Sequence, residues 1–432
     1  MQTDKDRSGV YFLIAIPLIA VLFWALSPSV SFNVTTWADT ASLLGRVFGI
    51  IGMMLFAESL LLSSKFKVLE EFFYGLNRVY IKHGQVGQIG FMFMLFHPLS
   101  LIYQYTDLSF RSILSFFTPN EFGQAITFGQ VGFYLLIVLI FLTLYFRPKY
   151  HIWKWTHKFM GIAFFLIGMH AYLIPSDTST YLPLRIYVLV VSGVALCVYF
   201  YHTILDLFIK RGLKYRVSKV KILGDGITEV ILKPVKEKID FLPGQFAFIT
   251  FKDKHVSSES HPFSISSGLG DEKISFTIKN LGDWTQNINK LSEGSEALVE
   301  GPFGKFTYSE AEFKKQIWIA GGIGVTPFIS MAKSLKEEDG YRVDLYYCVK
   351  NPSEAVYLNE LQKIGNNLIH IIPHYSDTAG YINATIINDK SGSLDRRSIF
   401  ICSPVPMIQA LRRQFATLGV PGTSIYSEEF SL

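Results

Sequence analysis

Four of the ten histidines fall in two apolar stretches of the chain, His83 and His97 in one and His157 and His170 in the other. Fourteen residues advance a helix by ~21 Å and return within ~40° of the starting face, so His83 and His97 project the same way at two depths. If both stretches cross a membrane in the same direction, His83 is level with His157 and His97 with His170. Each level then offers two imidazoles from facing helices, as bis-histidine haem ligation requires. The thirteen-residue spacing from His157 to His170 leaves the second ring roughly 140° off an ideal face. A π-bulge near Gly161 or Gly168 is expected to bring it into phase. His151 and His202 are the alternative ligands on the inner side. Arg46 and Glu58 are the charges inside another apolar stretch, where each requires a partner. Arg46 stands toward the outer end, where an outer haem would place its propionates.

Positioning such groups takes a bundle of long apolar helices, and the composition supplies one. The chain has 432 residues, 50% hydrophobic and 15% aromatic, too apolar for an ordinary soluble enzyme. Six runs qualify as spans: Val10 to Leu26, Leu43 to Leu62, Val86 to Tyr103, Phe128 to Phe146, Trp155 to Ile174 and Leu184 to Ile209. The first could instead be a signal peptide, but five further spans favour an anchor. Lys65, Lys67, Arg78 and Lys82 lie between spans two and three; Arg147, Lys149, Lys154 and Lys158 between four and five; Lys210, Arg211, Lys214 and Arg216 after six. The alternate loops hold only Arg111 and Arg185 at their margins. The positive-inside rule therefore places both termini and the polar half of the chain in the cytoplasm. A net charge of +5, clustered beside apolar runs, speaks for membrane orientation and against nucleic-acid binding. Cys197, Cys348 and Cys402 are widely spaced with no Cys-x-x-Cys pair, which argues against a disulfide framework, a zinc site or an iron-sulfur cluster.

The polar half reads as two domains. Short β-rich runs, Tyr215 to Leu223, Ile227 to Leu232, Phe246 to Phe251 and Ile274 to Ile278, separated by Gly and Pro, predict a small antiparallel barrel. From Gln316 the pattern becomes strand, glycine turn, helix: Ile317 to Ala320, then Gly321, Gly322 and Gly324, then Thr326 to Leu335. Strands at Val343 to Val349, Ile369 to Ile372 and Ile399 to Cys402 complete a parallel α/β sheet. The glycine turn, with Thr326 and Pro327 opening the helix, gives a nucleotide pyrophosphate close backbone approach. Ser264 and Ser266 can offer hydroxyl and backbone groups to a flavin edge, and His261 a donor or stacking face. Gly282, Trp284 and Thr285 open a short helix, Gln286 to Leu291, whose amides suit a diphosphate. After the strand ending at Val349 comes Lys350, with no carboxylate to grip a ribose 2′-hydroxyl, which favours NADPH modestly over NADH.

The run His261, Pro262, Phe263, Ser264, Ile265, Ser266, Ser267 resembles the HPF[ST] flavin motif of the NADPH oxidase (NOX) and ferric reductase transmembrane superfamily. Pro243, Gly244, Gln245 and Phe246 resemble its PGQF segment, and Gly301, Pro302, Phe303 and Gly304 its GPFG. The histidine spacings are also those of the family, including a fifth-helix pair one residue closer than the third-helix pair. The likeness covers nearly the whole chain and points toward a bacterial NADPH oxidase. It implies a six-helix transmembrane haem-binding bundle over 1–209, then a ferredoxin-reductase-like module. In that module an antiparallel β-barrel FAD domain spans 210–312 and a Rossmann-like α/β NAD(P)H domain 313–432. Its implied cofactors are FAD and two haem b, with NADPH or NADH as donor. Cys402, Ser403 and Pro404 resemble the CxP element beside the nicotinamide, and Phe430 the aromatic that stacks on the flavin.

The expected function is a transmembrane NADPH oxidase passing electrons from cytosolic NAD(P)H through FAD and both haems to dioxygen outside, forming superoxide. A hydride carries two electrons and a haem accepts one, so a flavin must split the pair. A ferric or cupric reductase uses the same path and is the alternative. A haem-only subunit or a passive scaffold would not need the flavin and nucleotide motifs. Residence in a bacterial plasma membrane is expected, with no obligate protein partner. Without an EF-hand loop ahead of the first span, constitutive activity is expected.

Overall fold

In a computed structural model of the chain, residues 2–102, 110–146, 148–204, 212–224, 226–365 and 368–429 are described. Phe430, Arg147, Lys210 and Arg211 lie outside them. The chain divides into two compact units, one comprising 5–73 with 78–210, the other 211–432 with the short segments 1–4 and 74–77.

The first unit is helical: α1 (Gln2–Ala25), α2 (Trp37–Leu62), α3 (Lys67–Phe73), α4 (Leu76–Ile102), α5 (Phe110–Phe116), α6 (Gln124–Phe141), α7 (Tyr150–His157), α8 (Met160–Leu173), α9 (Asp177–Thr180) and α10 (Leu182–Tyr199). Among the described residues, four helical stretches are long and apolar enough to cross a membrane: Trp37–Leu62, Leu76–Ile102, Gln124–Phe146 and Leu182–Thr203. The other two expected spans correspond to shorter apolar helices. The first has its apolar part at Gly9–Ala25, and the fifth is split between α7 and α8. Local chemistry sets the helix ends. Thr36 caps α2 through a reciprocal box with Asp39, satisfying two orphan amides.

The expected π-bulge at Gly161 or Gly168 is absent, since α8 runs regularly past both. Instead the helix breaks at Lys158 and Phe159, directly after His157. The π turns lie elsewhere, at Leu142–Phe146 and Phe200–Ile204.

The second unit holds two sheets. Strands β1 (Leu213–Gly224), β2 (Ile227–Pro234), β3 (Phe246–Lys252), β4 (Ser260–Ser264), β5 (Ile274–Lys279) and β6 (Glu296–Phe303) form an antiparallel sheet in the order β4-β3-β6-β1-β2-β5. A bridge from Ile265 to Phe276 joins its two edges and closes the barrel. Alternate apolar residues such as Val230, Ile249, Phe251 and Phe276 fill its core. Strands β7 (Lys315–Gly321), β8 (Arg342–Val349), β9 (Ile369–Tyr375), β10 (Ser398–Cys402) and β11 (Ile425–Glu428) form a parallel sheet in the order β11-β10-β7-β8-β9. Helices α11 (Thr326–Ser334), α12 (Leu358–Ile364), α13 (Ser376–Ala379), α14 (Ala384–Ser391) and α15 (Val405–Thr417) make the crossovers and turns. The chain builds outward from β7 to β9, then returns to the other side of β7 for β10. The topological switch point, where open α/β sheets bind ligands, is therefore between the ends of β7 and β10.

Candidate functional site

In the helical unit the four histidines meet as two pairs. The His83 and His157 ring centres are 5.9 Å apart, with planes at 74°. Those of His97 and His170 are 6.3 Å apart at 64°. Two imidazoles on opposite axial positions of one metal, each bonded at about 2 Å, have ring centres roughly 6 Å apart. The Nδ1 atoms are spoken for. His83 Nδ1 lies 2.7 Å from the Ser59 carbonyl, His97 Nδ1 2.7 Å from that of Gly45, and His170 Nδ1 2.9 Å from that of Ala125. A carbonyl only accepts, so each Nδ1 carries the proton and donates, leaving Nε2 unprotonated and able to act as a ligand. His157 Nδ1 is 3.4 Å from Thr143 Oγ1, whose own proton goes to the Leu139 carbonyl at 2.8 Å. Among the described residues no group of three or more His, Cys, Asp or Glu side chains converges. Neither alternative ligand enters a histidine pair: His151 is exposed, and His202 packs edge-on against Phe66 and Tyr201.

Glycines make room for these rings. A Cβ on Gly49 would stand 2.7 Å from His97 Nδ1, and one on Gly129 2.8 Å from the His170 ring. One on Gly161 would stand 2.2 Å from the Tyr199 ring, whose hydroxyl donates at 2.7 Å to Lys158 O at the helix break.

Arg46 has a partner the sequence reading did not identify. Its Nη1 pairs with Asp177 Oδ2 at 3.2 Å; the same carboxylate accepts from Trp24 Nε1 and Ser29 Oγ at 2.9 and 2.8 Å. Its side chain remains 48% exposed. Glu58, by contrast, is buried and has no hydrogen-bond partner among the described residues.

In the second unit the HPF[ST] motif forms β4 rather than a turn. His261 and Phe263 pack on Trp284, at 4.3 and 5.8 Å between ring centres, and Trp284 is itself a barrel core residue donating to Ser257 O at 2.9 Å. Pro262 pairs with Phe248 of β3. The serines separate by hydrogen bonding. Ser266 lies 3.1 Å from the Ser275 hydroxyl and 3.2 Å from that of Thr277, and Ser267 accepts from the Ser275 amide. Ser264 Oγ is buried with no hydrogen-bond partner among the described residues, which fits a hydroxyl available to a flavin. The expected helix after Gly282 is a 3-10 segment, Thr285–Lys290, and the Thr285 hydroxyl accepts from the Leu281 and Gly282 amides.

At the switch point Gly321 ends β7, and Gly322 adopts the left-handed φ of 58° that favours glycine. A Cβ on Gly324 would lie 2.1 Å from the Cys402 carbonyl oxygen, and one on Gly321 2.6 Å from Ser403 Cβ. The glycine turn and the Cys402, Ser403, Pro404 element are thus packed backbone to backbone, with Thr326 and Pro327 starting α11. Ser403 Oγ is also buried with no hydrogen-bond partner among the described residues. Burial, then the charge of Glu428, pushes the Cys402 thiol well above the usual thiol range, so it stays protonated. Glu428 lies in β11, a strand the sequence reading missed; its Cys-terminated neighbour β10 was the available signal. Lys350 is exposed at the end of β8, but the fold returns Glu354 to 3.5 Å from its amide. A carboxylate does therefore stand at this strand end, contrary to the sequence expectation.

Three family matches lie along the chain. Residues 48–168 match the "Ferric reductase like transmembrane component", 213–322 an "FAD-binding domain" and 318–413 an "Oxidoreductase NAD-binding domain". Among curated relatives, the second half is 25% identical over 237 residues to the propane 2-monooxygenase reductase component of Rhodococcus jostii (strain RHA1), covering 50% of this chain and 63% of that one. It is 28% identical over 212 residues to the 2-halobenzoate 1,2-dioxygenase electron transfer component of Burkholderia cepacia, covering 45% and 60%. The chain thus spans less than two thirds of these relatives. A solved phthalate dioxygenase reductase is 19% identical, covering 51% of this chain and 68% of that one, with a TM-score of 0.44. The molecule combines a ferric-reductase-like transmembrane component with an FAD-binding and an oxidoreductase NAD-binding domain. Its domain architecture is that of the NADPH oxidase and ferric reductase transmembrane superfamily.

Proposed function

We propose that the chain is a transmembrane NADPH oxidase: cytosolic NAD(P)H reduces FAD, electrons pass singly through two bis-histidine haem b groups, and dioxygen on the outer face becomes superoxide. The observation that carries this reading is the pair of imidazole pairs, each with ring centres about 6 Å apart and Nδ1 protons committed elsewhere. The membrane domain is read as 1–209 with six spans, the flavin domain as 210–312 and the nucleotide domain as 313–432. Both termini and the flavin and nucleotide domains are cytoplasmic, in a bacterial plasma membrane, and no obligate protein partner is invoked.

When bound, FAD accepts a hydride and releases its electrons one at a time, as one-electron haem acceptors require. The protein's part is positioning. His83 with His157 and His97 with His170 hold the irons, and their Nδ1 donors fix tautomer and ring plane. Ser264 presents a hydroxyl to the flavin, with His261 and Phe263 locked behind it on Trp284. The turn at Gly321, Gly322 and Gly324 brings backbone amides to the nucleotide phosphates, and the buried Cys402 and Ser403 border the nicotinamide. Two histidine ligands to each iron would leave no open site, so the outer acceptor would be reduced without binding iron. Arg46, half exposed and ion-paired with Asp177, keeps guanidinium donors free to bond an anionic group on that side.

The test is NADPH-driven cytochrome c reduction by the purified full chain in lipid nanodiscs. Superoxide dismutase should abolish it. Undiminished reduction with dismutase, together with anaerobic reduction of a ferric chelate, would instead identify a metal-ion reductase.

A further inference from the structure

The helical unit contains a carboxyl that the electron path leaves unused. Glu58 lies four residues, ~6 Å along the axis, from the C-terminal end of α2. It is 1% exposed, and neither Oε1 nor Oε2 has a hydrogen-bond partner among the described residues. Its neighbours along α2, Leu55, Phe56, Ala57 and Leu60, are buried apolar side chains. On α10, which packs against α2, the Ser192 hydroxyl is buried and equally unpartnered. Tyr187, also on α10, is within electrostatic reach of Glu58, but its hydroxyl donates to the Ile16 carbonyl at 2.9 Å and is not free to bond the carboxyl. Toward α8 the contact is aromatic, Phe56 against Phe164 at 5.1 Å. Toward α4 the adjacent Ser59 holds His83, by its carbonyl at 2.7 Å and its hydroxyl at 3.1 Å from Nδ1.

A buried polar side chain in a helical bundle ordinarily earns its place through an interhelical hydrogen bond. Glu58 makes none, and an intramembrane ionisable residue without a structural partner points to function. We infer that Glu58 is a proton-binding site inside the membrane unit, loaded when an electron reaches the His83 and His157 level and released when it leaves. The inference rests on the haem reading above.

Charge balance supplies the reason. A bis-imidazole ferric haem carries one net positive charge at its core, and in a low dielectric that charge serves as the distant counter-ion of a carboxylate with none of its own. One arriving electron removes it. Glu58 then takes one proton from water on the side where the basic flanking loop stands, forming an O–H bond at a carboxyl oxygen with no bond broken in the protein. Electron and proton together leave the local charge unchanged. When the electron moves outward, the proton returns to water.

The experiment is redox-induced infrared difference spectroscopy of the full chain in nanodiscs, with haem counted on the same samples by pyridine haemochrome. Reduction should produce a protonated-carboxyl band that shifts in D2O, disappears in Glu58→Gln and survives, displaced, in Glu58→Asp. In parallel, a tenfold change in proton concentration should move one haem midpoint by up to about 59 mV in the wild type and clearly less in Glu58→Gln. Two haems per chain with no such band, or with a band unchanged in Glu58→Gln, overturns this inference alone. Absence of haem overturns it together with the proposed function.

Discussion

Gly49→Ala isolates the outer histidine pair. A methyl at this position would lie 2.7 Å from His97 Nδ1, 2.9 Å from Cε1 and 3.3 Å from Cγ. Ordinary carbon contacts are ~3.5–4.0 Å, so the ring must retreat by roughly 1 Å. That movement strains the Nδ1 bond to Gly45 O at 2.7 Å. On folding, the loss of about 1 kcal/mol for that hydrogen bond is offset by the ~1 kcal/mol that alanine gains over glycine in a helix interior. The variant should therefore fold. Haem binding has no such compensation: disturbing the group that orients a metal-ligating histidine typically costs 10–100-fold in affinity. Pyridine haemochrome should fall from two haems per chain toward one, with flavin content intact. Gly129→Ala, which crowds His170 from the other side at 2.8 Å, should give the same loss, and the double variant should add little because both act on one site. Gly168→Ala is the control, since the nearest atom to its Cβ is Met53 Cε at 3.9 Å. Two haems retained in Gly49→Ala, or one lost in Gly168→Ala, would refute the assignment of the outer pair.

Gly324→Ala would drive a methyl to 2.1 Å from the Cys402 carbonyl, a backbone atom that cannot swing aside; flavin reduction by NADPH in stopped flow should slow roughly tenfold or more, while haem content stays at the wild-type level. Burial raises the Asp253 carboxyl, but the Ser295 hydroxyl at 2.6 Å and the His255 and Ser292 amides outweigh it and hold it at about 2. Its folded value is below the ordinary 3.8, so its stabilisation is complete above that pH and is lost as pH falls toward about 2. Asp253→Asn should flatten the acid release of flavin, followed by fluorescence, across that window. Lys350→Glu should lower the NADPH to NADH preference severalfold, because Glu354 already stands beside that strand end; unchanged steady-state ratios would remove Lys350 from the site. Phe430→Ser, if the terminal ring covers the flavin, should lower the apparent KM for both nucleotides and weaken their discrimination, as read by steady-state kinetics.

The elements carrying the chemistry were legible where pattern and motif coincided. Strands β7, β8, β9 and β10 follow from short apolar runs beside glycine or polar turns, and parallel pairing follows from their alternation with helices. The strand β4 was harder to see, because His261, Pro262 and Ser264 carry turn-like chemistry; only pairing with β3 makes them extended. Trp284 stands where a short helix opens with amides suited to a diphosphate, and its ring fills the barrel, since an apolar face of that size is worth more buried than exposed. Asp177 escaped notice for another reason. Nothing in a single Asp within the short polar run from Ser176 to Thr180 announces that Trp24, Ser29 and Arg46, up to 153 residues away, converge on it.

The fifth-helix spacing shows how a sequence inference can find the right problem and the wrong remedy. Thirteen regular residues turn the helix by about 220° beyond three full turns, ~140° short of a common face. A π-bulge absorbs one residue in a turn, so thirteen residues would rotate as about twelve and leave His170 still ~120° off His157's face. The chain does the opposite. Lys158 bonds back to Trp155 and Phe159 to Thr156, three residues each, so the backbone between the two histidines is overwound. A three-residue turn advances about 120° per residue in place of 100°, moving the second ring toward the required face. The remaining rotation comes from the break itself, because α7 and α8 are separate helices with their own axes. The break frees Lys158 O, which the Tyr199 hydroxyl takes, and Gly161 leaves space for the Tyr199 ring. The glycine four residues past His157 thus serves the histidine phase indirectly: a side chain there would displace the tyrosine that stabilises the turn, and with it the alignment of His157 over His83.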